Sequence, residues 1–261
     1  MGISNLSETH HIIEIEQPED EEKLWRYMDL SKYVSLLRSQ SIYLPPLSAF
    51  DDPFEGSNPK SLGLTPLLET FDAEGSIAKG LPSNISEMVK MASTVFKNGM
   101  YVSCWHLSAY ESDAMWKLYS STIDSICIQT TCGKLKSYIP NTNAQFGKVQ
   151  YIDYATYVAP STPVAYSPAF FKRQSFEHEK EVRIVLADME PDKYLRSTSE
   201  RDSSQEDIGK ALKVDLKHLV DRVLINPLAP SWFAEIVKDI TSRYNFDFPV
   251  EQSELRDNPI F

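Results

Sequence analysis

Glycine, cysteine and positive charge are all scarce in this chain, and each shortage closes off a class of function. Nine glycines in 261 residues include no GxxxxGK(S/T) and no GxGxxG, so the backbone loops that cradle nucleotide phosphates are missing. The GxSxG elbow of hydrolases and the HExxH of zinc proteases are missing too. Three cysteines, Cys104, Cys127 and Cys132, form no CxxC, and the histidines offer no pair at zinc-ligand spacing. Reduced thiols in a cytoplasm fit that count. Lysine and arginine number 26 against 37 acidic residues, a net charge of −11. A general grip on nucleic-acid phosphates needs a basic surface, so a dedicated nucleic-acid binder is not expected, though a local basic groove remains open. No apolar run reaches the roughly 20 residues that span a bilayer, and no membrane association is expected. His10, His11 and nearby acids stand where a secretory leader needs basic and then apolar residues.

What is present suffices for a folded core: 42% of residues are apolar and 11% aromatic. Residues 1–22 are polar and end in Glu19-Asp20-Glu21-Glu22, which predicts a flexible N-terminal segment. From residue 23 to 261 the pattern predicts a single α+β domain of short, mostly antiparallel strands with flanking helices. Strands are expected at 24–28, 41–44, 100–105, 125–130, 148–154, 212–215 and 220–225. Helices are expected at 32–38 after Asp29, at 85–96, after Ser112 or Asp113, and at 232–244 capped by Ser231. Asp52-Pro53 with Gly56 predicts a turn. Residues 57–82 are expected to be largely loop and Ser197–Asp207 a surface loop. No repeat is visible.

The densest chemistry lies in Phe176-Glu177-His178-Glu179-Lys180-Glu181-Val182-Arg183-Ile184. From Glu181 onward charged and apolar residues alternate, the two-residue period of a half-buried strand. If Glu179 is extended as well, Glu179 and Glu181 point the same way. Two adjacent carboxylates resist joint ionisation unless a cation neutralises them, and Arg183 is the cation in register.

Two other strands carry polar residues beside aromatics: Arg26 between Trp25 and Tyr27, and Ser103 near Trp105. Arginine binds diphosphates through paired hydrogen bonds, serine offers a hydroxyl, and aromatic rings stack on heterocycles. A glutamate can hold a ribose hydroxyl and stabilise positive charge on a sugar ring. Each also has a plainer reading. Arg26 can pair with an acid, Glu179, Glu181 and Arg183 can form a salt network, and Met115, Trp116 and Tyr119 can be one core-facing helix stripe. Phe50 and Phe54 can be core, and Asp51 and Asp52 can serve the turn. A nucleophilic pairing of Cys104 with His106 or His178 is weighed against an inert buried thiol.

The ordered segments Leu24-Trp25-Arg26-Tyr27, Asp52-Pro53-Phe54-Glu55, Val102-Ser103-Cys104-Trp105, Met115-Trp116-Lys117-Leu118-Tyr119, Lys148-Val149-Gln150-Tyr151 and Phe176–Arg183 resemble the bacterial domain of unknown function 2971. Glu179-Lys180-Glu181-Val182 is similar to the Glu-x-Glu motif of arginine-serine-glutamate ADP-ribosyltransferases. Arg26, Ser103 and Glu181 follow that order, although one serine stands where that family has Ser-Thr-Ser. The second resemblance implies an ADP-ribosyltransferase-like fold and NAD as the substrate. It makes Glu181 the stabiliser of an oxocarbenium-like ribose, Glu179 the residue that orients the acceptor, Arg26 the NAD ligand and Ser103 the residue that holds the site together. Tyr27, Trp105, Trp116, Tyr119, Phe54 and Asp52 would complete the NAD-binding surface. It further implies a toxin or defence effector of a bacterium or phage, with a protein or nucleic acid as acceptor. Two other readings stay open: a non-catalytic ligand- or partner-binding domain, and a metal-dependent hydrolase of nucleotides or nucleic acid using Asp52, Glu179 and Glu181.

Overall fold

The computed structural model describes residues 15–60, 92–120, 122–140, 143–158, 166–188 and 209–257. The expected loop and helix between 61 and 91, and the expected loop Ser197–Asp207, lie outside the described residues, apart from helical residues 92–99.

The architecture is α+β. Seven strands form the central sheet: β1 (Lys23–Asp29), β3 (Met100–Leu107), β4 (Ser125–Thr131), β5 (Ala144–Lys148), β8 (Glu181–Ala187), β10 (Arg222–Ile225) and β11 (Val250–Gln252). Their order is β11-β10-β4-β1-β3-β8-β5. Every neighbouring pair is antiparallel except β10–β11. Two small sheets flank it, β2 (Ser41–Leu44) with β9 (Lys210–Lys213), and β6 (Gln150–Ile152) with β7 (Phe171–Arg173). Besides the helical residues 92–99, the helices are α1 (Leu30–Ser39), α2 (Asp113–Tyr119), α3 (Cys132–Lys136), α4 (Leu216–Leu219) and α5 (Ser231–Arg243).

Strand alternation sorts the core. Leu24, Met28, Ile126, Ile128, Val223 and Ile225 point to one face and pack with Tyr33, Leu37, Phe233 and Val237 of α1 and α5. Tyr33 and Thr241 share a hydrogen bond of 2.7 Å that joins those two helices. The alternate residues Trp25, Tyr27, Cys127 and Leu224 meet Met115 and Trp116 of α2 on the other face. Ser112 caps α2, accepting from the Met115 N–H.

The structure departs from the sequence reading in four places. Of the strand expected over 148–154, only Gln150–Ile152 forms a strand of its own, β6, while Lys148 ends β5, and the two strands join different sheets. The helix near the C-terminus starts one residue early, with Pro230 at the N-cap position instead of Ser231. Residues 16–22, expected as part of a flexible lead-in, are tied down. The Lys148 N–H donates to the Glu16 carbonyl at 2.8 Å, Gly133 to Asp20 at 2.9 Å and Cys132 to Glu22 at 2.9 Å. Finally, β8 is an interior strand between β3 and β5, and its Glu181 and Arg183 are buried on a face expected to be half-exposed.

The sheet is split where the site forms. β1 pairs with β4 along all seven residues but with β3 only at Leu24–Leu107 and Trp25–His106. Beyond that point the Pro45–Pro46 segment takes over β3: Pro46 bridges Tyr101, and the Val102 N–H donates to the Pro45 carbonyl at 2.8 Å. Two prolines suit that edge, since neither can donate to a ladder.

Candidate functional site

A cavity of about 720 Å³ opens in this split, within the roughly 300–1,000 Å³ of small-molecule sites. One wall is Arg26, Tyr27 and Met28 of β1, and the facing wall is Val102, Cys104, Trp105 and His106 of β3. Glu179 and Glu181 close one end, with Tyr119 of α2 at the rim. Lys32, Ser35, Ser39, Ser41 and Tyr43 line the other.

Arg26 has no carboxylate partner among the described residues. Its guanidinium lies 5.5 Å from the Trp105 ring centroid, and Nη2 donates to the Tyr43 carbonyl at 3.2 Å. Burial lowers its pKa to about 10, which still leaves it protonated at neutral pH. Trp105 is fixed in turn, because its indole N–H donates to the Ser103 hydroxyl at 3.1 Å.

The carboxylate end is a buried ionic cluster. Lys172 Nζ lies 2.5 Å from Glu181 Oε1, 2.6 Å from Glu179 Oε2 and 3.4 Å from Glu55 Oε1. Arg183 Nε donates to Glu181 Oε2 at 2.6 Å. The other end of Arg183 grips Glu55 at 2.9 and 3.0 Å and donates to the Ala169 carbonyl at 2.7 Å. The Tyr119 hydroxyl donates to Glu179 Oε2 at 2.7 Å, and the Glu181 N–H donates to the Tyr151 hydroxyl at 2.8 Å. Three carboxylates therefore face two cations, one negative charge in excess.

That excess settles on Glu179. Burial, followed by the neighbouring Glu181, pushes its carboxyl up to about 7. Burial acts in the same upward direction on Glu181, but Arg183 and Lys172 outweigh it and hold that carboxyl well below the usual range. The site thus holds a glutamate that is ionised at neutral pH beside one that titrates near neutrality. Because the folded value of Glu179 lies above its ordinary 4.5, its contribution to stability is full below that pH and is lost as pH rises through about 7. Wild-type melting temperature is expected to fall between about pH 5 and about pH 8, with Glu179→Gln removing most of that fall, as thermal melts across this window would show.

Glu179 reaches the cluster by a route other than an extended strand. Gln174–Glu179 is a 3₁₀ turn, and Lys180 takes a left-handed conformation at φ 42° before β8 begins. The side chains still converge, on Lys172. The backbone here is also pinned by His106, whose Nδ1 lies 2.6 Å from the Glu179 carbonyl. Burial lowers the His106 pKa, and burial raises the Cys104 thiol well above its ordinary value. Cys104 is therefore an un-ionised thiol, which does not suit a nucleophilic pair with His106.

Arg26, Tyr27, Trp105, Tyr119, Glu179 and Glu181 come together at the cavity, whereas four other candidates lie elsewhere. Ser103 is buried, pairs across β8 with Ile184 and supports Trp105 from behind. Trp116 packs edge-on against Tyr27 at 4.9 Å and donates to Glu111 at 3.0 Å. Phe54 packs edge-on against Tyr154 at 5.0 Å. Asp52 pairs with Arg173 at 3.0 Å and caps the turn at the Phe54 N–H. Lys172 and Glu55 are two members of the ionic cluster that sequence reasoning did not single out. The only signals were a lysine directly after the aromatic pair Phe170-Phe171, and the position of Glu55 at the end of the Asp52-Pro53-Phe54-Glu55 segment.

No helix among the described residues is long and apolar enough to cross a membrane. No family model matches the chain, that of the domain of unknown function included, and no curated protein matches it. Among solved structures it is similar to Thermus sp. 2.9 DarT in complex with NAD+, at 7% identity and a TM-score of 0.41, covering 93% of this chain and 100% of that one. The carba-NAD+ complex of the same protein gives 8% identity, a TM-score of 0.38 and coverage of 91% and 97%. Its complex with ADP-ribosylated ssDNA gives 8%, 0.39, 92% and 96%.

Proposed function

We propose that the cavity binds NAD and that the chain is an ADP-ribosyltransferase. The observation that carries this reading is the presence, in the lining of one cavity, of a cation without a carboxylate partner among the described residues, Arg26, and a locked carboxylate, Glu181. A diphosphate is the natural complement of Arg26, through two parallel N–H···O bonds. The rings of Trp105 and Tyr119 supply flat surface along the cavity.

In this reading the glycosidic bond between ribose and nicotinamide breaks, and nicotinamide leaves with the bonding electron pair. Positive charge develops on the ribose ring, next to the fixed negative charge of Glu181, which needs no reorganisation at that moment. The acceptor then attacks the ribose carbon and gives up its proton. Glu179, titrating near 7, is matched to take that proton as general base. The acceptor is a protein or a nucleic acid, and the biological setting is that of a toxin or defence effector.

The test is direct: isothermal titration of the purified protein with NAD, followed by an assay for released nicotinamide. Absence of binding at millimolar NAD would sink the reading, and binding without release would favour a non-catalytic receptor. Arg26→Ala is expected to raise KM for NAD about 10- to 100-fold, the range of a lost charge-assisted hydrogen bond, with a smaller effect on kcat. The metal-dependent hydrolase reading is disfavoured because the Lys172 ammonium lies between Glu179 and Glu181, where a metal would have to sit, and Asp52 is engaged by Arg173.

A further inference from the structure

The turn at 51–56 belongs to the site without lining the cavity. It is clamped by Asp52 to Arg173, the neighbour of Lys172, and the Arg173 guanidinium covers the Phe54 ring at 4.9 Å. Gly56 closes the turn at φ 68°, where a Cβ would also meet the Leu47 side chain at 3.0 Å. Between them stands Glu55, which is buried, and both of its oxygens face Arg183.

We propose that Glu55 is a positioning residue for Glu181. It takes both terminal nitrogens of Arg183 and so leaves only the Nε edge for the second carboxylate. This rests on the NAD-transferase reading of the cavity. The guanidinium is a planar fork that prefers a bidentate carboxylate. Arg183 already has its bidentate partner in Glu55, and the Ala169 carbonyl accepts a further bond from Nη1. Glu181 is therefore held by one bond from Nε at 2.6 Å and one from Lys172 at 2.5 Å, on different oxygens. Lys172 is itself 3.4 Å from Glu55. Both cations that aim Glu181 are thus braced by Glu55. Without Glu55, the freed end of Arg183 would turn onto Glu181 and draw it off the cavity.

The test is Glu55→Gln in the full chain, beside Glu55→Asp, which keeps the charge but shortens the reach. With Gln, kcat for nicotinamide release is expected to fall about 10²-fold, the cost of an ångström-scale misplacement. KM for NAD should stay within about twofold. Asp should lower kcat as well, since a role of charge alone would leave it intact. Carboxyl-detected NMR supplies a readout that needs no substrate. Glu179 faces Glu181, Lys172 and the Tyr119 hydroxyl, and removing the charge of Glu55 should lower its titration midpoint. The same spectra should show a displaced Glu181 resonance in both variants. Wild-type kcat in both variants would overturn the inference. If the wild-type protein neither binds nor cleaves NAD, the reading of the cavity fails separately. The Glu181 resonance then decides: unmoved in both variants, it overturns the positioning role. If the Gln variant does not fold, the Asp variant carries the kinetic and the NMR measurement alike.

Discussion

Glu181→Gln is expected to reduce nicotinamide release from NAD about 10³-fold, in the range measured when a preorganised electrostatic group is removed, while the protein still folds and still binds NAD. The substitution keeps the shape of the side chain and removes its charge. Its amide oxygen can still accept from one of the two cations, but its NH₂ must face the other, Lys172 or Arg183, donor against donor. That conflict costs about 1–3 kcal/mol, the penalty for one buried unsatisfied group. The charge balance works the other way: two carboxylates would face two cations, and the excess negative charge would be gone. A folded variant with near-normal NAD affinity and a lost chemical step is therefore expected. Affinity should survive because Arg26, on the β1 wall, is untouched. In cells, expression of the wild type should arrest growth if the chain acts as a toxin, and this variant should not. Nicotinamide release within about tenfold of wild type would remove Glu181 from the chemistry.

How much of this was legible beforehand depends on the range of the interaction. Val182 and Ile184 alternating with Glu181 and Arg183 is a local pattern, and the strand and its two faces follow from it. The placement of Ser103 is not local. Once β3 and β8 pair with His106 opposite Glu181, Cys104 and His106 share the face of Glu181, and Ser103 turns away with Ile184. A shift of one residue in register would have reversed that, and register is set by pairing partners distant in the chain. The split between β1 and β3 likewise depends on the Pro45–Pro46 segment arriving at Tyr101 and Val102. Glu179 and Glu181 do sit together, but through a 3₁₀ turn and a left-handed Lys180, which no two-residue period encodes. Glu55 meets Arg183 across 128 residues of sequence. Only its place in a short ordered segment hinted that the turn mattered.

Arg183→Met is expected to be the most destabilising single change in the cluster, by about 3–5 kcal/mol. Arg183 is fully buried, and its removal breaks both bonds to Glu55, the bond to Glu181 and the bond to the Ala169 carbonyl. Three carboxylates would then crowd around the Lys172 ammonium. Against a typical total stability of about 5–15 kcal/mol, that is a large fraction. At about 2–4 °C per kcal/mol for a chain of this size, the melting temperature should drop by roughly 6–20 °C. The pH dependence should also steepen between about pH 5 and about pH 8. In the wild type, Glu181 is held below its ordinary pKa, so its stabilising contribution is present above that value and is lost on acidification. Without Arg183, the crowded carboxyls favour the protonated form more strongly, so the variant should gain more stability than the wild type does as pH falls from about 8 toward about 5. Denaturant melts at several pH values measure both effects, and a loss below about 1 kcal/mol would show that the cluster contributes nothing net. The double variant Glu55→Leu, Arg183→Met then separates fold from function. Replacing a buried ion pair by apolar groups of similar volume is often neutral or stabilising, so most of the lost stability should return. Nicotinamide release should not return, because Glu181 would have lost the Nε edge that aims it. Recovery of both would mean that the cluster serves only the fold; recovery of stability alone would mean that these charges are buried to hold Glu181 in place.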